Sequence, residues 1–331
     1  PSPRVKYYKG LGTSTSAEGK AYFSDLGRHL IVVRHSGDPC FDTLDLFFSS
    51  SRSGERKDAL RHFDPESYVD YGEEVVTVKE WCRDELTHFG YADNLRSLPH
   101  AIDGLKPSQR KVLFAMGKER GEESVATIAA SATRLTAYHH APESLVWTAV
   151  GMARRFTGSN NLALLEDRGQ FGVRLNPKTT TAAARYIRSV LDPISSFLFR
   201  REDDPILTYS EDDGKKIEPT FYVPVIPLVL VNGADGIGTG WSTFLPPHNP
   251  RDVISACRRI AMGSSASSSS FSSSPSLLFP WYDGFTGETV RWGDEKEEGG
   301  WELRGRVERK GTSLTVTELP PRVWTEPYKE W

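Results

Sequence analysis

Residues 78–94 carry apolar and polar positions with the period of one long helix, and helical patterning recurs over residues 41–48, 55–63 and 145–156. Pro107 predicts a further helix start, because the N–H that proline lacks has no intrahelical partner in a first turn. Near the beginning the period switches. Residues 5–8 read as a strand, Gly10-Leu11-Gly12 as a turn, residues 16–28 as a helix opened by Ser-Ala-Glu, and residues 30–33 as a strand again, which is the signature of an α/β remnant. Ser49-Ser50-Ser51-Arg52-Ser53-Gly54 reads as a loop, and residues 223–231 as a strand-like run. Around Trp281, Trp292 and Trp301, and through residues 302–317, alternating segments predict a β-rich tail. Residues 263–276 include ten serines and almost no strong hydrophobes, the composition of a disordered surface insertion.

Composition changes this picture little: 331 residues leave room for two or three domains, and 38% apolar with 26% charged residues is ordinary for a soluble globular protein. The distribution of charge is more informative than the net value of -3. Residues 100–201 hold 15 Lys+Arg against 8 Asp+Glu, whereas residues 202–331 hold 13 against 20. A basic module inside an acidic chain predicts a localised phosphate-binding surface, the alternative being chance clustering. Cys40, Cys82 and Cys257 are too few and too far apart for a disulfide framework or a cysteine-rich zinc site. No apolar run reaches membrane-spanning length, and Pro1-Ser2-Pro3-Arg4 has neither an initiator Met nor a signal-peptide core, so the chain is expected to be a piece of a larger protein.

The candidate chemistry centres on Ala182-Ala183-Ala184-Arg185-Tyr186. A phenol has a pKa of about 10 and attacks phosphorus poorly at neutral pH unless a cation favours phenolate and neutralises the phosphoryl oxygens. Arg185 can supply that cation to Tyr186, although an Arg-Tyr pair is also an ordinary helical neighbour pair. Arg56 and Lys57 place two cations at a predicted helix start, which by itself reads as a solvated helix face. Lys106 and Arg110 flank the helix opened by Pro107 and are candidates for backbone phosphate contacts, which orient a duplex without reading its sequence; Lys111 fits that role or a plain surface cation. His139 and His140 are adjacent and point in different directions, with no acid or cysteine at a ligand spacing, so a metal site is not supported there. Gly236-Ile237-Gly238-Thr239-Gly240 lacks the spacing of a dinucleotide fingerprint and the end of a phosphate-binding loop, which leaves a glycine-loop nucleotide enzyme weakly supported. Ile237, held between glycines, is either a core residue or a wedge that enters a base-pair step.

Three blocks surround Tyr186: residues 7–16, Tyr7-Tyr8-Lys9-Gly10-Leu11-Gly12-Thr13-Ser14-Thr15-Ser16; the pair Ala92-Asp93-Asn94 and Asp103-Gly104-Leu105-Lys106-Pro107-Ser108-Gln109-Arg110-Lys111-Val112-Leu113; and Glu218-Pro219 through Pro224-Val225-Ile226-Pro227 to Asn232-Gly233-Ala234-Asp235-Gly236-Ile237-Gly238-Thr239-Gly240-Trp241-Ser242. In this order they resemble the DNA breakage and reunion core of a eukaryotic-type type IIA DNA topoisomerase. The resemblance implies a multidomain mixed α+β (α/β) chain: the C-terminal part of a Toprim domain at 1–62, a helical linker at 63–95, a winged-helix (CAP-like helix-turn-helix) cleavage domain at 96–222, and part of a β-rich tower domain at 223–331 with the Ser-rich insertion at 263–276.

By the same resemblance Tyr186 is the nucleophile and Arg185 the transition-state stabiliser, with His139 and His140 near the scissile phosphate. Lys9, Arg56, Lys57, Lys106, Arg110, Lys111, Tyr138 and Ser144 are implied to touch DNA, and Ile237 to intercalate. The family joins two protomers as a homodimer on double-stranded DNA, uses Mg2+ and ATP, and works in the nucleus, or in a viral or cytoplasmic setting if the source is a large DNA virus. Its metal-binding acids, its ATPase domain and the helices of its dimer gate are expected outside these residues, so no metal site is expected in the chain. Two departures stand out. Ala141-Pro142 replaces the usual Gly-Glu, and Asn176-Pro177-Lys178-Thr179-Thr180-Thr181 replaces a Gly-Gly-Lys-Asp stretch, which predicts a stiffer loop ahead of Tyr186. The alternative is a noncatalytic winged-helix protein that bends DNA and has lost strand cleavage.

Overall fold

The computed structural model describes residues 14–70, 72–73, 75–212, 214–262, 278–293 and 299–331. The strand and turn expected at residues 5–12, Lys9 and the Ser-rich insertion lie outside the described residues. The chain divides into two compact units, one of residues up to Leu98 joined by Gly236–Thr243, the other of Pro99–Asp235 and Phe244–Trp331. Its class is mixed α+β.

In the first unit the helix Ser16–Ser24 starts on a capping box, in which Thr15 Oγ1 accepts from Glu18 N and Glu18 Oε2 accepts from Thr15 N. A second short helix, Leu26–His29, completes the segment expected to be one helix, the break falling at Asp25. Val32–Arg34 then pairs in parallel with Val75–Thr77. Parallel strands need a long crossover, and the helices Asp38–Phe48 and Ser53–Arg61 provide it. The expected loop at residues 49–54 is largely helical instead: a 3-10 turn covers Ser50–Arg52, and Arg52 is drawn into it by Asp42, Asp45 and Glu55. The predicted long helix is present as one helical run from Val78 to Ser97, with a π turn at Cys82–Leu86.

In the second unit three helices, Pro107–Lys118, Val125–Leu135 and Pro142–Ala153, pack on one another around the main core. Val125, Ile128, Ala129 and Ala132 recur at helical spacing and are all buried, and Ala115, Ala149 and Ala153 keep the neighbouring helices close. Pro142 stands at the first position of its helix, where proline has no hydrogen bond to lose. Glu123–Ser124 pairs antiparallel with Arg188–Ser189, and Tyr209–Asp212 pairs antiparallel with Lys215–Pro219. The run at 223–231 is not a strand: its end forms a short helix, Leu228–Val231, whose Leu228 and Val231 enter the core. A short continuous apolar run does not separate a strand from a buried helical turn. The tail is β-rich as predicted, with hairpins Glu288–Trp292 with Gly300–Arg304 and Arg306–Lys310 with Ser313–Glu318.

Candidate active site

Tyr186 sits in a turn, not in a helix, and its side chain is 70% exposed. The turn is closed by Tyr186 N donating to Ala183 O at 2.9 Å. The next residue anchors it: Ile187 is buried in the core, and Ile187 O and Ala184 O accept from Val125 N and Ala126 N at the start of the helix Val125–Leu135. The positive end of that helix therefore faces the backbone of the tyrosine turn. The guanidinium of Arg185 lies 4.8 Å from the centre of the Tyr186 ring. An exposed phenol under a cation, on a backbone pinned from both sides, can be offered to a large anionic substrate.

A charged cluster fixes the other end of this turn. Arg188 Nε donates to Glu122 Oε1 at 2.7 Å, Arg188 also donates to Glu122 O at 2.7 Å, and Arg168 pairs with the same carboxylate and with Glu166. Arg188 first, and then Arg168, hold the Glu122 carboxyl below the ordinary carboxylate range. A group with a lowered folded pKa stabilises above its unfolded pKa and loses that stabilisation as pH falls through the folded value. Glu122→Gln is therefore expected to lower the melting temperature at neutral pH, with the difference from wild type vanishing in acid below the carboxylate range. Thermal melts across pH check this, and a difference independent of pH would contradict it.

The other expected site residues divide by environment. Tyr138 packs against the core and meets His140 edge-on, with ring centres 5.4 Å apart. Ala137, just before them, has φ +45, so this turn holds a strained backbone. His139 Nε2 lies 3.2 Å from Asp212 Oδ2, on the hairpin Tyr209–Asp212 with Lys215–Pro219. Among the described hydrogen bonds neither histidine meets Tyr186 or Arg185. Ser144 is exposed near the start of its helix. Lys106 precedes Pro107, is half-buried and makes no ion pair among the described residues.

Arg110 and Lys111 differ from the expectation of open cations. Arg110 is 6% exposed; its Nε donates to Asp103 Oδ2 at 2.8 Å and its terminal nitrogen to Leu105 O at 2.7 Å. Lys111 Nζ pairs with Glu218 Oε1 and donates to Thr136 O, both at 2.8 Å. Both cations are drawn inward on Pro107–Lys118, Arg110 neutralised by Asp103 seven residues upstream and Lys111 by Glu218, far away in sequence. In the first unit Arg56 is likewise engaged, donating to Leu46 O at the end of the helix Asp38–Phe48, while Lys57 makes no ion pair among the described residues.

The glycine-rich turn belongs to the first unit. Asn94 Nδ2 donates to Thr239 O and Thr239 Oγ1 to Asp93 Oδ2, each at 3.1 Å, and Gly238 N donates to Trp241 O at 2.8 Å. A Cβ on Gly238 would fall 2.1 Å from Asn94 Oδ1, and Gly240 has φ +81, so these glycines serve close packing and a left-handed turn rather than a phosphate cradle. Ile237 is 83% exposed, which removes the core alternative. Ile237→Ala is thus expected to leave the melting temperature nearly unchanged. As a wedge it would also reduce the bend of bound duplex, measured by energy transfer between end labels; a bend equal to wild type would contradict the wedge.

Sequence reasoning missed Arg154, Glu122, Arg168 and Arg188, which hold the segments on either side of Tyr186. Apart from Glu166, two residues from Arg168, their side-chain partners lie 17 to 66 residues away, and no local spacing signals such pairs.

Residues 96–331 match the family described as the A subunit of DNA gyrase/topoisomerase IV, and residues 2–94 match the C-terminal associated domain of TOPRIM. The chain belongs to the type II DNA topoisomerase family. It is 42% identical over 332 residues to DNA topoisomerase 2 of Arabidopsis thaliana, covering 99% of this chain and 22% of that protein. It is 41% identical over 328 residues to DNA topoisomerase 2 of Penicillium chrysogenum, covering 98% and 20%. A crystal structure of the Plasmodium falciparum topoisomerase II DNA-binding, cleavage and re-ligation domain superimposes with a TM-score of 0.77 at 40% identity, covering 99% of this chain and 43% of that one. The chain spans between 20% and 22% of the length of these two curated relatives.

Proposed function

We propose that this chain is the strand-cleaving part of an ATP-dependent type II DNA topoisomerase. The phenol oxygen of Tyr186 attacks a backbone phosphorus in line, a phosphorus–oxygen bond to Tyr186 forms, and the bond to the 3' oxygen breaks. The phenol proton leaves and the 3' oxygen takes up a proton, giving a 5'-phosphotyrosyl link and a free 3'-hydroxyl. Arg185 neutralises charge on the phosphoryl oxygens. The reverse attack by the 3'-hydroxyl reseals the strand, because the phosphodiester energy is kept in the tyrosyl ester. The observation that carries this reading is the exposed Tyr186 ring under the Arg185 guanidinium. In the same proposal two protomers form a homodimer in the nucleus, cut opposite strands of one duplex and pass a second duplex through the break. Lys106, Lys57, Tyr138 and Ser144 contact the cut duplex, and Ile237 wedges it.

Magnesium would add charge neutralisation at the phosphoryl group. Among the described residues no group of three or more His, Cys, Asp or Glu side chains is placed to hold a metal ion, so these residues do not fit it. ATP use and gate opening are assigned to parts of the polypeptide outside these residues. No helix of the described residues is long and apolar enough to cross a membrane.

The purified 331-residue chain is expected to bind duplex DNA with an affinity that falls steeply as salt rises, and to leave strands uncut even with magnesium. Robust cleavage by it alone would reveal a metal site that the described residues do not show. In the complete protein, Arg185→Ala is expected to slow cleavage by about 100-fold or more, the scale for removing a preorganised charge from a transition state. Single-turnover cleavage assays check this, and a wild-type rate would reduce Arg185 to scaffold.

A further inference from the structure

We propose that Arg154 is a positioning residue for the nucleophile, latching the 170–181 loop so that the tyrosine turn stands in one place; this rests on the function proposed above. Arg154 follows the last residue of the helix Pro142–Ala153, and its carbonyl accepts from Asn160 Nδ2 at 2.9 Å. Its guanidinium reaches across the loop. Nε donates to Phe171 O at 2.9 Å, and one terminal nitrogen donates to Pro177 O at 2.7 Å and to Thr181 Oγ1 at 3.1 Å. Both ends and the middle of the loop are thus gathered on one side chain.

The loop closes on that side chain. Thr181 Oγ1 donates to Pro177 O and Thr180 Oγ1 to Asn176 O, each at 2.6 Å, while Val173 N donates to Thr180 Oγ1 at 2.9 Å. Phe171 and Thr181 face each other as a β-bridge, and Ala182 N donates to Gln170 O at 2.9 Å. Gly172 stands inside the closure with φ +94, where a Cβ would lie 2.6 Å from Pro177 O and 2.7 Å from Thr181 Oγ1. The threonines that replace the glycine-containing stretch of the family pattern are the groups that make this closure.

Two features distinguish a positioning role from simple packing. First, among the described residues no carboxylate pairs with Arg154, and burial lowers its pKa from the ordinary guanidinium range. A half-buried cation satisfied by two carbonyls and a hydroxyl is an inefficient way to add stability, since a neutral side chain avoids the desolvation cost. Second, Thr181 is followed by three alanines and then by Arg185 and Tyr186. Ala182 and Ala184 pack against the core and Ala184 O accepts from Ala126 N, so Thr181 is the last side chain tying the latched loop to the segment that enters this pinned turn, and it sets where that segment starts.

The test uses the complete dimeric enzyme, a labelled duplex, single-turnover cleavage and an independent measurement of duplex affinity. Arg154→Ala is expected to cut about 100-fold more slowly, the scale for misplacing a reacting group by about 1 Å, with duplex affinity and melting temperature close to wild type. Arg154→Lys should stay slow, because an ammonium cannot reproduce the planar fork that spans three acceptors. Methylguanidinium added to Arg154→Ala should restore at least part of the rate, whereas it does nothing for a variant whose defect is elsewhere. A wild-type rate for Arg154→Ala, full rescue by lysine, or no response of the slowed variant to methylguanidinium would overturn the proposal. If Arg154→Ala does not fold, Thr181→Val removes one acceptor and the loop-closing hydroxyl while keeping the arginine. It is expected to fold and to cut more slowly, and wild-type cleavage from it would overturn the latch. Tyr186→Phe runs alongside: unchanged cleavage by that control would refute the nucleophile itself, an outcome distinct from failure of the Arg154 latch.

Discussion

Tyr186→Phe in the complete enzyme is expected to abolish the covalent protein–DNA adduct, lowering strand cleavage on the order of 10^4-fold or more, as for removal of other enzymic nucleophiles. Duplex affinity should stay close to wild type, because the substitution removes one oxygen from an exposed ring and no cation, and affinity for DNA is dominated by cations. The ring that remains still lies beneath the Arg185 guanidinium, so the turn keeps its local contact. Denaturing gels with end-labelled duplex, beside a salt titration of binding, read both quantities. Persistent cleavage would remove Tyr186 from the chemistry, whereas parallel loss of binding would make it a DNA contact.

The largest expected effect on stability lies at Asp103. This carboxylate is fully buried; it accepts from Arg110 Nε and Tyr222 N through Oδ2, and from Leu105 N through Oδ1. Asp103→Ala would leave the buried Arg110 guanidinium without its counter-charge and two backbone N–H groups without acceptors. Breaking one side of a buried ion pair costs about 3–5 kcal/mol. For a unit of this size that corresponds to a fall on the order of 10 °C in melting temperature. Replacing both Asp103 and Arg110 by apolar residues should cost less than Asp103→Ala alone, since no charge is then stranded. A loss below about 1 kcal/mol for the single variant would show that the pair is solvated in solution.

The elements legible in the sequence were those with a strong local signal. The helix at Pro107, the helical run through Asn94 and the β-rich tail follow from periodicity and from proline, and their outer limits shifted by only a few residues. Residues 223–231 were misread because a short apolar run looks alike as a strand and as a buried helical turn. Within the candidate site, the contact of the Arg185 guanidinium with the Tyr186 ring joins neighbours in sequence, which a local reading can reach. Lys111 reads as an open cation because Glu218 reaches it only through tertiary packing, and Arg110 because its partner Asp103, though seven residues away, sits outside the helix that carries it. Arg154 was silent for the same reason: nothing local separates it from Arg155, which is exposed and pairs with Asp167 and Asp192.

The noncatalytic alternative drew its support from the altered loop ahead of Tyr186. In the structure that loop is internally bonded from Asn176 to Thr181, and Tyr186 is presented to solvent beyond it. The replacement is therefore compatible with a working nucleophile, and the noncatalytic reading loses its main argument.

Mapping the protein–DNA adduct tests the central claim most directly. The complete enzyme is trapped on duplex DNA by denaturation, the DNA is digested to a short remnant, and the tryptic peptide carrying it is sequenced by mass spectrometry. A single nucleotide-bearing peptide is expected, modified at Tyr186 through a 5' phosphate, with the opposing 3' end free for extension by a polymerase. An adduct on another residue, attachment through the 3' end, or no adduct under conditions where the duplex is bound would contradict it.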